Sequence, residues 1–143
     1  MSVLVHATAI QVVGHGVLIL GESGAGKSDL ALRLIGEGAL LISDDQTSLT
    51  VEGGRLVATA PATIAGRIEA RGLAIVRAPQ IEAAILRLAV RLEAAPLERM
   101  PEPYFWRVPG VAAGPHLPLI SLAPFEPSAT VKLRMALTAV TQA

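Results

Sequence analysis

The sequence predicts an α/β fold with a mixed β-sheet, a helix that follows a phosphate-binding loop, and a carboxyl-terminal helix. Three observations carry that reading. Gly21-Glu22-Ser23-Gly24-Ala25-Gly26-Lys27-Ser28 fits G-x-x-x-x-G-K-[ST], the P-loop. The apolar run Gly16-Val17-Leu18-Ile19-Leu20 leads into it, as a strand buried on both faces would. From Lys27 to Glu37, the residues Leu30, Ala31, Leu34 and Ile35 share one helical face, and Gly38 offers a stop. Strand, loop and helix therefore occur in the order that a nucleotide-binding unit requires.

The remaining elements follow along the chain. Val3 to Val13 reads as one strand, rich in β-branched residues, and Gly14-His15-Gly16 as the turn into the next. After the P-loop helix, Ala39-Leu40-Leu41-Ile42-Ser43 is a buried strand that ends at Asp44-Asp45. Gln46 to Val51 and Arg55 to Thr59 flank Glu52-Gly53-Gly54, a hairpin signal. Pro61 to Gly66 reads as a loop, and Ile68-Glu69-Ala70-Arg71-Gly72 leads into an apolar run from Leu73 to Val76. Ala83 to Leu92 alternates cleanly, which favours a strand over a helix. From Ala94 to Pro118, six prolines make a long helix untenable, and a loop of this length is usually functional or mobile. Leu117 to Leu122 forms a last strand, and Pro127 opens a helix that runs to about Val140.

Composition narrows the function classes. The chain of 143 residues reads as one domain, large enough for its own core. Hydrophobic residues make up 52% and charged residues only 17%, a surplus that suits a subunit interface. No apolar stretch approaches a membrane span. Twelve basic and twelve acidic residues cancel, so no electrostatic footprint for nucleic acid is expected. There is no cysteine, hence no disulfide framework or thiolate metal site. Met1 to His6 lacks the pattern of a signal peptide, and a cytoplasmic, ATP-using protein fits these properties.

Within the P-loop, the glycines let successive N–H groups turn inward around anionic oxygens, and the helix N-terminus adds its dipole. Lys27 would reach the β- and γ-phosphates, with the Ser28 hydroxyl on Mg²⁺. Asp44-Asp45 ends the following strand, where side chains alternate. One carboxylate can approach the metal shell while the other faces an incoming hydroxyl; equally, Asp is common in strand-end turns. Glu69 and Arg71 place an acid and a cation beside an apolar strand, or form an ordinary exposed ion pair. His6 lies among apolar neighbours, where a lone histidine is more often a core or edge residue.

Together these segments resemble the catalytic domain of HPr kinase/phosphorylase. The family reads as a strand with His, then G-V-L-I-x-G-x-S-G-x-G-K-S, then A-D-D. This chain has His6, Gly16 to Ser28 and Ser43-Asp44-Asp45 at matching spacing. The signature L-E-I-R-G-L-G-I-I is similar to Ile68-Glu69-Ala70-Arg71-Gly72-Leu73-Ala74-Ile75-Val76. The resemblance covers about residues 3–77 and implies a P-loop-containing kinase core over residues 1–143, which uses ATP and Mg²⁺. The implied reaction phosphorylates a serine on HPr, the small phosphocarrier of the bacterial phosphotransferase system, or on a paralogue. It implies Asp45 as acid/base, Lys27 on phosphate, and Ser28 and Glu69 as Mg²⁺ ligands with Asp44 in the metal shell. It further implies His6 and Arg71 in the active site, a catalytic arginine at Arg99, and a homo-oligomer, the hexamer.

Two departures refine the expectation. The family's usual amino-terminal domain has no counterpart, as in the short forms of α-proteobacteria, whose role is regulatory. The family's Arg-Pro-Gly-Arg loop, linked to dephosphorylation, is matched only by Arg107-Val108-Pro109-Gly110. Kinase activity is therefore expected to exceed phosphorolysis. Two other classes stay open on the residues alone. One is a small-molecule P-loop kinase, against which the proline-rich region with few arginines counts. The other is a nucleotide-responsive binding protein, which would need neither Asp45 nor Glu69.

Overall fold

The computed structural model describes residues 2–94, 97–111 and 114–142. The chain forms an α/β fold. In chain order it runs through β1 (Ser2–Val5), β2 (Ala7–Val12), β3 (His15–Leu20), α1 (Lys27–Gly36), β4 (Leu40–Ser43), β5 (Thr47–Glu52) and β6 (Arg55–Thr59). It continues with β7 (Arg67–Ala70), β8 (Ala74–Arg77), β9 (Ala83–Leu92), β10 (Tyr104–Arg107), β11 (His116–Leu122) and α2 (Ala129–Thr141).

The main sheet is ordered β1-β5-β6-β9-β3-β2-β4, with β11 also beside β9 and β10 beyond it. It is mixed: β9 runs parallel to β3 and β11, whereas β2 is antiparallel to both β3 and β4. The hairpin β7–β8 stands apart as a two-stranded sheet. Parallel pairing of β3 and β9 brings backbones close. A Cβ at Gly16 would lie 2.6 Å from the Ile85 carbonyl oxygen, so only glycine fits that register.

Alternation divides the apolar residues between two faces. Val17 and Ile19 of β3, with Leu88, Val90 and Leu92 of β9, meet Leu30 and Leu34 of α1 and Leu133 of α2. Leu18 points the other way and joins Ala9, Ile42, Leu49, Leu56 and Leu86. Both faces of the central strands are thus dry, which explains why β3 reads as a continuous apolar run rather than an alternating one. Ile68 ties the β7–β8 hairpin into the helical face. Arg33, Thr130, Glu37 and Arg134 link the two helices and the loop between β11 and α2: Thr130 and Arg134 donate to Glu37, and Arg33 donates to the Pro124 carbonyl. The Arg134 guanidinium, and then Thr130, hold the Glu37 carboxyl below its ordinary value.

Three expectations need correction. The single strand over Val3–Val13 is broken at His6 into β1, paired with β5, and β2, paired with β3 and β4. The break occurs where the chain changes partners, which no local pattern encodes. The turn into β3 is Val13-Gly14, because Val12 pairs with His15 and leaves only two residues between them. The proline-rich segment contains strand β10, antiparallel to β11 from Tyr104↔Leu119 to Arg107↔His116. Three aromatic residues, good strand formers, outweigh the flanking prolines there. Residues 95, 96, 112 and 113 of that segment lie outside the described residues.

Candidate active site

Strand β3 delivers the P-loop, and α1 begins at Lys27 directly after it. Gly26 is the N-cap, at φ 105°. A glycine cap has no side chain to occupy the first-turn N–H groups, which leaves them to an anion. Lys27 is buried and curls back, its Nζ donating to the Gly21 carbonyl at 2.8 Å and the Glu22 carbonyl at 3.1 Å. The ammonium is therefore held over the loop by the loop itself.

The two aspartates separate sharply. Asp44 is buried, and its Oδ1 accepts from Ser28 Oγ at 2.6 Å and from Thr8 Oγ1 at 3.0 Å. Its Oδ2 accepts the Glu69 backbone N–H at 3.0 Å. Asp45 turns out toward solvent, with Oδ1 3.6 Å from His6 Nε2. The divergence comes from a left-handed residue, Asp45 at φ 67°, placed just past β4. It is not the strand alternation expected from sequence. Asp is among the few residues that tolerate this region. Thr8 fixes the bend by accepting the Asp45 N–H at 3.1 Å.

His6 sits at the break between β1 and β2, and its Nε2 is 3.5 Å from Lys27 Nζ. Glu69 on β7 and Arg71 in the β7–β8 turn come over from the separate hairpin. Ser23, Gly24, Gly26, Lys27, Ser28, Asp44, Asp45, Glu69 and Arg71 all line one cleft of about 360 Å³. A second, apolar cavity between Val3, Leu49, Val51, Leu56, Val108 and Val111 is smaller, at about 140 Å³, and carries no titratable group.

The sequence-derived residues thus largely converge. Arg99 does not: it is exposed in the segment between β9 and β10 and is not among the cleft-lining residues. Arg107 also lies away from the cleft lining, with its guanidinium 3.5 Å from the Gly114 carbonyl. Sequence reasoning missed Thr8, whose buried hydroxyl joins both aspartates, and Phe125, which lines the cleft from the loop after β11. A threonine inside an apolar strand was the only available signal for Thr8.

For a metal, Ser28 Oγ and the Asp44 carboxylate meet at 2.6 Å, and Glu69, whose backbone N–H is bound to Asp44, lines the same cleft. Among the described residues no group of three or more His, Cys, Asp or Glu forms an all-protein cage. That donor set suits Mg²⁺, which keeps water and phosphate oxygens as most of its shell. It does not suit zinc.

Residues 1–86 match the family model described as HPr Serine kinase C-terminal domain. The chain belongs to that family. Among its relatives, the HPr kinase/phosphorylase of Clostridium tetani is 41% identical over 76 residues, 53% of this chain and 25% of that protein. The HPr kinase/phosphorylase of Mycoplasmopsis pulmonis is 43% identical over 75 residues, 52% of this chain and 24% of that protein. The chain thus spans about a quarter of the length of these curated relatives. The Hpr(Ser) kinase/phosphatase from Coxiella burnetii has a solved structure with TM-score 0.82 and 25% sequence identity, covering 97% of each chain. Membership in the HPr serine kinase family rests on the half of the chain that carries the P-loop, both aspartates and Glu69–Arg71. Arg99 and Arg107 fall outside the matched residues. No helix among the described residues is long and apolar enough to cross a membrane.

Proposed function

We propose that residues 1–143 act as one catalytic domain that transfers the γ-phosphate of ATP to a serine of HPr or a paralogous phosphocarrier, as a regulator of the phosphotransferase system. The observation that carries this reading is the division of labour between the paired aspartates. Asp44 is committed to Ser28 at 2.6 Å, while Asp45 opens to the same cleft unburied.

In that reading the P-loop N–H groups and Lys27 cradle the β- and γ-phosphates. Ser28 and Glu69 would hold Mg²⁺, with Asp44 orienting the Ser28 hydroxyl, and the ion would supply charge neutralisation when bound. Asp45 accepts the proton of the serine hydroxyl as its oxygen bonds to the γ-phosphorus and the bond to the β–γ bridging oxygen breaks, leaving ADP. His6, within reach of both Lys27 and Asp45, orients the two. Arg71, on the hairpin turn, adds positive charge on the solvent side of the cleft. The placement of Arg99 supports no role at this protomer's cleft. Phosphorolysis would place phosphate and phosphoserine together and needs donors beyond those that serve ATP. Arg107 has no second arginine nearby in sequence, which supports the kinase as the dominant direction.

The test is incubation with labelled ATP, Mg²⁺ and purified HPr. Asp45→Asn should lower transfer by about 10²- to 10⁴-fold, the range for a general base, and leave nucleotide affinity in place. Lys27→Ala should damage both. Full activity in Asp45→Asn removes Asp45 from the chemistry. In the reverse assay, pyrophosphate release from phosphoserine-HPr and phosphate should run well below the forward rate; parity would overturn the assigned direction.

A further inference from the structure

We propose that Phe125 is the platform on which the nucleotide base stacks, a reading that rests on the P-loop binding a nucleoside triphosphate. The chain has only four aromatic residues of the Phe, Trp and Tyr type. One of the two phenylalanines, Phe125, is 70% exposed yet lines the P-loop cleft. An exposed ring at that place is not core packing.

The ring is braced rather than loose. A Cβ built on Gly26 would come within 2.9 Å of Phe125 Cζ, so the ring edge rests on the N-cap of α1 and needs a glycine there. The preceding residue, Pro124, is buried, and its carbonyl accepts a hydrogen bond from Arg33 of α1. Arg33 is itself held by Asp29 at 3.1 Å. The Glu126 N–H closes the turn onto the Ala123 carbonyl at 3.3 Å. The loop between β11 and α2 is thus tied to the helix that carries the P-loop, and a bound base would meet a preset surface.

Topology gives the direction. In the sheet, β3 has β2 and β4 on one side and β9 and β11 on the other. The carboxylates Asp44 and Asp45 arrive from the end of β4, and Glu69 from the hairpin packed on α1. Phe125 arrives from the end of β11, on the opposite side of the P-loop. A triphosphate whose terminal group faces Asp45 therefore leads its nucleoside toward Phe125. The Pro124 carbonyl beside it is already engaged by Arg33, so recognition there is by the ring face, and stacking is tolerant of base identity.

Titration calorimetry with Mg²⁺ plus ATP, and separately with Mg²⁺ plus inorganic tripolyphosphate, tests the assignment. Phe125→Ala should weaken ATP by about 10- to 100-fold, as loss of a stacking partner does, and leave tripolyphosphate affinity unchanged. Phe125→Trp should retain ATP affinity. Phe125→Leu keeps an apolar brace against Gly26 without the ring, and should show the same selective loss if the alanine variant distorts the loop. Equal losses for both ligands would mean that the ring only supports the P-loop, and an unaltered ATP affinity would place the base elsewhere; either overturns the proposal. Wild-type protein that binds tripolyphosphate but gains nothing from the nucleoside overturns it too, with the P-loop reading intact. Wild-type protein that binds neither overturns both.

Discussion

Thr8 has no solvent exposure and serves two neighbours at once, donating to Asp44 Oδ1 at 3.0 Å and accepting the Asp45 N–H at 3.1 Å. Thr8→Val keeps the shape and removes both bonds. Asp45 would lose the partner that holds its left-handed backbone, and Asp44 would lose one of its donors. Leaving such groups unpaired costs about 1–3 kcal/mol, so the denaturation midpoint should fall. The transfer rate should fall further than stability alone explains, because Asp45 loses its fixed position, and Thr8→Ser should restore most of it. Denaturation and single-turnover transfer measured on the three proteins would sink the idea if Thr8→Val matched wild type in both. The two aspartates are legible in sequence because they are adjacent and end a strand. Thr8 is not, because its partners lie 36 and 37 residues away and only the fold brings them together.

Elements show the same division between local and non-local information. The P-loop helix and the Glu52–Arg55 hairpin are written in nearby residues, whereas the break at His6 depends on which strands β1 and β2 meet. The β2–β3 turn holds an unused margin of stability. Val13 takes φ 49° and Gly14 φ 81°, both positive, as in a type I′ turn. A β-branched residue is poorly suited to that region, and Val13 is 81% exposed with little packing to lose. Val13→Asn should therefore raise stability by roughly 1 kcal/mol, seen as a higher melting temperature; an unchanged or lower value would refute the assignment of strain. The link between α1 and α2 predicts a pH effect of known sign. Glu37 is held below its ordinary value chiefly by Arg134. Its contribution is complete above the unfolded-state value and is lost as pH falls through the lowered folded value. Glu37→Gln should thus cost a little stability at neutral pH, and the gap should close in acid. Because the pair is partly exposed, salt should shrink it as well. A gap that widens toward acid would contradict the ion pair.

At the scale of the whole molecule, the order of the sheet was not legible, since parallel pairing of β9 with both β3 and β11 joins segments far apart in sequence. Composition did signal a property of the surface. The chain exposes 8067 Å², while a compact monomer of its 14.8 kDa mass is expected to expose about 7,000 Å². Among the described residues, several large apolar side chains are exposed. Leu73 and Ile75 are 82% and 70% exposed on the β7–β8 hairpin, which packs on α1 toward the β4 end of the sheet. Tyr104 and Phe105 are more than half exposed on β10, at the other end. Met135 and Val131 open outward from α2. Where such residues form a contiguous patch, they mark an interaction surface. Because they lie toward opposite ends of the sheet, a two-fold dimer that buries one patch against itself leaves the other in water. Burying both takes either a ring of head-to-tail contacts or two kinds of two-fold contact, and a hexamer admits both solutions. A closed trimer or tetramer would do so as well; six chains is the number that the resemblance to HPr kinase/phosphorylase implies, and six is predicted on that ground. Multi-angle light scattering at micromolar concentration should return six times the chain mass, and Leu73→Glu with Ile75→Glu should reduce it to a smaller closed species. A single-chain mass with and without nucleotide would overturn the assembly, and a hexamer untouched by the double substitution would move its contacts away from the hairpin.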